Sequence, residues 1–89
     1  MAAFYYVYLR ARPGVRADRV EKVMNLALDW YRYDDNEWIV YSTADAKKWY
    51  GRLQPPVEGG GRTFIVRLAI SDRSGHMPRG LWDWLREAC

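Results

Sequence analysis

The chain has 89 residues, too few for a second core, and 16% of them are aromatic, with five Trp and seven Tyr, which excludes a disordered segment. One cysteine excludes an internal disulfide, and the formal net charge is only +3. No apolar run approaches the length of a membrane span.

The sequence therefore predicts one domain over residues 1–89, small enough to gain stability from pairing, so a homodimer is the expected state. Cys89, the last residue given, reads as a free thiol in a reducing compartment. The start has a short apolar run without a basic lead, so the expected location is the cytoplasm. Charge is segregated. Residues 1–19 carry Arg10, Arg12, Arg16 and Arg19 against Asp18, a balance of +3. Residues 20–45 hold two bases against six acids, and residues 46–89 hold eight bases against four acids. Such separation suits an anionic or acidic partner.

Phe4 to Arg10 alternates with apolar residues on both sides, Phe4, Tyr6 and Tyr8 against Tyr5, Val7 and Leu9, and predicts a central strand covered on each face. Arg12-Pro13-Gly14 ends it. A helix follows from about Arg16 to Asp29, its buried stripe formed by Val20, Val23, Met24 and Ala27. Tyr31-Arg32-Tyr33 and Trp38-Ile39-Val40-Tyr41 flank the turn residues Asp34-Asp35-Asn36, a hairpin signal. Thr43 is placed to cap a second helix running to about Leu53, with Ala46, Trp49, Tyr50 and Leu53 inward and Lys47, Lys48 and Arg52 outward. Pro55-Pro56 is expected to stop it, and Gly59-Gly60-Gly61 to form a flexible connection. Thr63 to Ile70 reads as a fourth strand. Pro78 suits the first turn of a last helix, in which Leu81, Trp84, Leu85 and Ala88 share a face and Trp82 lies off it. The order β-α-β-β-α-β with an additional C-terminal helix predicts an α+β, ferredoxin-like fold.

The aromatic hairpin Trp30-Tyr31-Arg32-Tyr33-Asp34-Asp35-Asn36-Glu37-Trp38-Ile39-Val40 resembles that of the small SinR-like proteins. These are relatives of the CRISPR-associated Cas-two proteins and of VapD-type toxins. The C-terminal pattern Gly75-x-Met77-Pro78-x-x-x-Trp82-x-Trp84-Leu85 resembles their signature, and Tyr8-Leu9-Arg10-Ala11-Arg12-Pro13-Gly14 is similar to the end of their first strand. The likeness runs over nearly the whole chain. It implies a ferredoxin-like homodimer that binds duplex DNA or RNA, and for some relatives metal-dependent phosphodiester cleavage. Those families carry an Asp directly after the tyrosine that closes strand one. This chain has Leu9 there, which can neither bind a divalent cation nor orient water, so the resemblance implies a lost nuclease site, with no catalytic residues, metal or cofactor expected.

Other carboxylates do not replace it on sequence grounds. Asp34, Asp35 and Glu37 sit in a turn, where their side chains diverge, and Asp72 adjoins Arg73 as a solvated pair. His76 lacks a nucleophilic partner, as do Ser71 and Ser74, and the Gly59–Gly61 run lacks the Lys-Ser/Thr ending of a phosphate loop. The basic residues remain. Arg10, Arg12 and Arg16 near the end of strand one, and Lys47, Lys48 and Arg52 along helix two, are candidates for nucleic-acid backbone contact. Tyr5 or Tyr6 could stack bases only if a sheet face were open. Trp82 and Trp84 are candidates for an interface. The expected function is non-catalytic nucleic-acid binding. The alternatives are a metal-dependent ribonuclease and a protein-interaction module built on the Trp helix.

Overall fold

The centre of the molecule is β1 (Ala3–Arg10), which hydrogen-bonds on one side to β3 (Glu37–Ser42) and on the other to β4 (Arg62–Leu68). The structure, a computed structural model describing residues 1–88, adds β2 (Asp29–Asp34) beyond β3 and gives a four-stranded sheet of order β2-β3-β1-β4. Every neighbouring pair is antiparallel. It follows that β1 and β2 run parallel with β3 between them, and that β3 and β4 run parallel with β1 between them. Each of these parallel pairs needs a crossover, supplied by α1 (Ala17–Met24) and α2 (Ala46–Val57). A third helix, α3 (Arg79–Ala88), follows β4, so the described residues form an α+β fold with three helices.

The period-2 alternation of the strands feeds two separate cores. Tyr5, Val7 and Leu9 of β1 with Trp38 and Val40 of β3 face Val20 and Met24 of α1 and Trp49, Leu53 and Val57 of α2. On the opposite face, Phe4 and Ile39 meet Leu81 and Leu85 of α3. The hairpin between β2 and β3 turns at Asp35-Asn36, with an irregularity between Arg32 and Asp34.

Several local expectations need correction. The first strand is not covered on each face. Tyr5, Val7 and Leu9 are buried, whereas Tyr6 and Tyr8 are only half-buried, because α3 is a single ten-residue helix about 15 Å long and cannot roof the whole sheet. The first helix ends at Met24 rather than Asp29, since the backbone of Leu28 is already drawn into the sheet by its N–H donating to the Tyr41 carbonyl at 2.9 Å. Leu26 and Leu28 are left exposed. The cap of α2 is Asp45, whose Oδ1 accepts the Lys48 N–H at 2.9 Å, and not Thr43. Pro55-Pro56 lies inside the last turn of α2 rather than ending it at Leu53. The carbonyls of those two prolines are satisfied from outside the helix, by the Arg12 guanidinium at Pro55 and by the Arg12 backbone N–H at Pro56, 2.8 Å. The glycine run is a built turn: φ is 92° at Gly59 and 142° at Gly60, a region where side chains are strained. The fourth strand stops at Leu68, two residues before Ile70. Cys89 and the side chain of Ala88 lie outside the described residues.

Candidate functional site

Alternation along β1 and β4 places Phe4, Tyr6, Tyr8 and Arg10 on one face with Leu68, Val66, Phe64 and Arg62, in directly opposed pairs. α3 covers the first of these rows. The ring of Trp84 stands edge-on to Phe4 at 5.9 Å and tilted to Tyr31 at 5.8 Å, while its Nε1 donates to Asp29 Oδ2 at 3.0 Å. Beyond that cover the face is open. Phe64 is 61% exposed and Val66 40%, and Tyr6 and Tyr8 are half-buried. The last row, Arg10 opposite Arg62, is exposed, and neither guanidinium has a carboxylate partner among the described residues. Two like charges directly opposed across a strand pair repel. An anion placed between them removes that cost.

One acid borders the open face. Glu37, opposite Tyr8 on β3, accepts at Oε1 a hydrogen bond from the Tyr6 hydroxyl, 2.7 Å. Burial, and then this hydrogen bond, push the Tyr6 phenol well above its ordinary value. Tyr33 is raised as well, by burial first and then by the charges of Glu37 and Asp34. The shifts delay ionisation in alkaline solution; at neutral pH Tyr6 and Tyr33 are polar but uncharged groups beside the aromatic rows.

The six basic residues singled out from the sequence do not share one surface. Arg10 opens onto the aromatic face. The Arg12 guanidinium is engaged at the C-terminus of α2, a favourable position for a cation at the end of a helix. Arg16 occupies the N-cap position of α1 and lies 3.5 Å from Asp18, both exposed to water, a pair of little energetic weight. Lys47 and Lys48 are exposed in the first turn of α2, which follows the end of β3 paired with Ala3. That is the opposite end of β1 from Arg10, on the order of 20 Å along the strand. Arg52 lies with its guanidinium 4.9 Å over the Trp49 ring. Trp84 is occupied within the chain, as described, and half-buried Trp82 has its ring 3.8 Å from where a Cβ on Gly75 would sit.

Leu9 is 3% exposed in the core between the sheet and the two crossover helices, on the face opposite Arg10. A carboxylate at that position would be desolvated among apolar side chains. The turn acids serve the backbone: Asp34 Oδ1 accepts the Asp35 N–H, and Arg32 donates to the Asp35 carbonyl. Among the described residues no three His, Cys, Asp or Glu side chains converge as a cation site would require, and no helix is long and apolar enough to cross a membrane.

Sequence reasoning missed Arg62, Phe64, Val66 and Tyr8 as surface groups. A usable signal was present: a lone C-terminal helix of ten residues is too short to cover four strands, so one end of that face had to remain open.

No family profile matches the chain, no curated protein is significantly similar to it, and no solved structure matches it significantly.

Proposed function

We propose that the protein is a non-catalytic, ferredoxin-like nucleic-acid-binding domain, working as a homodimer and gripping the phosphate backbone through Arg10 and its cross-strand neighbour Arg62. The observation that carries this reading is the opposed arginine row at the end of the open face, without a carboxylate partner among the described residues. Guanidinium groups match phosphate in charge and in fork geometry, and an anion between them removes their mutual repulsion. The resemblance to SinR-like and Cas-two proteins supports the same partner class. The non-catalytic part rests on Leu9, an apolar core residue where those relatives carry an acid. The homodimer rests on the resemblance and on the small size of the domain, with β2 and β4 as open sheet edges.

Binding to DNA and RNA followed by fluorescence anisotropy across a salt series tests the reading. Affinity falls steeply with salt, and Arg10→Ala with Arg62→Ala flattens the logarithmic slope by about 1.4–1.8 per protomer. Binding that ignores salt, or a slope unchanged in the double variant, defeats it. Light scattering that returns a mass of 10.5 kDa rather than twice that removes the homodimer.

A further inference from the structure

We infer that the open half of the sheet selects unpaired bases, so that the nucleic acid the protein takes is single-stranded, its bases stacking on the rows Tyr8/Phe64 and Tyr6/Val66. The inference rests on the reading of Arg10 and Arg62 as phosphate contacts and adds what lies beside them.

Three features of the face point to this ligand. The first is composition. An exposed phenylalanine directly opposite a half-buried tyrosine offers flat π-surface to solvent, and the adjoining row is a pair of unpartnered cations. A ligand that fits both must carry planar rings and negative charge at short intervals, as a polynucleotide does. The second is spacing. Successive same-face residues on a strand are about 6.8 Å apart, whereas bases in a duplex follow one another every ~3.4 Å. A row-by-row fit requires bases that have come out of their stack, and a duplex keeps its rings turned inward, where Tyr8 and Phe64 cannot reach them. The third is direction. α3, held by Trp84 over Phe4 and Tyr31, walls off one end of the face, and Glu37 places negative charge on the β3 side. The sugar-phosphate chain is thereby steered to the β4 side and toward Arg62, with its bases lying inward over β1.

A second copy of this chain is a poorer occupant. The four partly exposed side chains Tyr6, Tyr8, Phe64 and Val66 present well under the roughly 800 Å² that each partner of a stable complex buries.

The experiment compares labelled single strands, ten residues of thymidylate and of uridylate, with a duplex of mixed sequence at low salt. Wild type binds the single strands about tenfold or more tighter than the duplex. Phe64→Ala weakens single-strand binding roughly 5- to 100-fold and leaves duplex binding within about twofold. Phe64→Leu loses nearly as much, because it keeps the apolar bulk and discards the π-face, while Phe64→Trp retains the affinity. Phe64 is largely exposed, so these variants keep the fold, which circular dichroism verifies. Equal affinity for duplex with a harmless Phe64→Ala overturns stacking while leaving backbone binding intact. Absence of binding to either ligand overturns both readings together. A Phe64→Ala protein that changes from dimer to monomer by light scattering reassigns the face to a contact between copies and overturns the inference.

Discussion

Replacing Gly61 by alanine would put a methyl group where there is no space for one. A Cβ at this position would stand 2.4 Å from the Arg10 carbonyl oxygen, 2.7 Å from the Val57 Cα and 2.8 Å from the Arg12 nitrogen. All three are backbone atoms, so no side chain can rotate away. Ordinary contact distance demands that the end of β1 and the end of α2 separate by about 1 Å, and protein interiors do not absorb such a shift without loss. Two hydrogen bonds cross this junction, Gly61 N–H to the Val57 carbonyl at 2.7 Å and Arg12 N–H to the Pro56 carbonyl at 2.8 Å. Overpacking of this kind costs about 1–3 kcal/mol, and a weakened buried hydrogen bond adds about 1 kcal/mol. The expected loss is about 2–4 kcal/mol, a fall in Tm of roughly 10 °C or more for a domain of this size. Gly51→Ala is the matched control. Nothing lies within 4 Å of its added Cβ, and it sits inside α2, so the same chemical change stabilises by about 0.5–1 kcal/mol. Thermal unfolding by circular dichroism of the two variants gives shifts of opposite sign. A Gly61→Ala protein that melts with wild type would refute the argument that β1 and α2 are locked at this point.

Further outcomes follow from particular contacts. Trp84→Phe keeps a ring over Phe4 and Tyr31 but loses the bond to Asp29, a cost of about 1 kcal/mol in urea unfolding, whereas Trp84→Ala costs at least twice that; equal losses would show that the ring is not what holds α3 to the sheet. The raised phenols of Tyr6 and Tyr33 hold their protons in the folded state after the unfolded chain has released them. Stability is therefore complete below about pH 10 and falls as the pH rises past it. In an alkaline ultraviolet titration Glu37→Gln lets Tyr6 and Tyr33 release their protons at lower pH than in wild type; a titration curve unchanged by Glu37→Gln would count against the Tyr6–Glu37 bond.

Much of the local structure was legible because it depends on near neighbours in the chain. Val20 and Met24, the turn at Asp35-Asn36, and Trp49 and Leu53 lie where local pattern put them, whereas Tyr50, also expected inward, is 52% exposed. The errors sit where a remote segment intervenes. Pro55-Pro56 reads as a helix stop until Arg12, more than forty residues earlier, satisfies the carbonyls at that end. Arg10 and Arg12 look equivalent on paper. One is left free on the open face and the other is taken up by α2, because the chain leaves the sheet between them.

The sequence by itself determined which residues of each strand share a face, since side-chain direction alternates with a fixed period of two whatever surrounds the strand. The brevity of the last helix implied that part of one face stays open, but not which rows of it. That depended on where a ten-residue helix anchored by Trp84 comes to rest, and the contacts that hold it there join residues more than fifty positions apart. Whether Phe64 is core or surface was therefore decided in three dimensions, by the limited reach of α3.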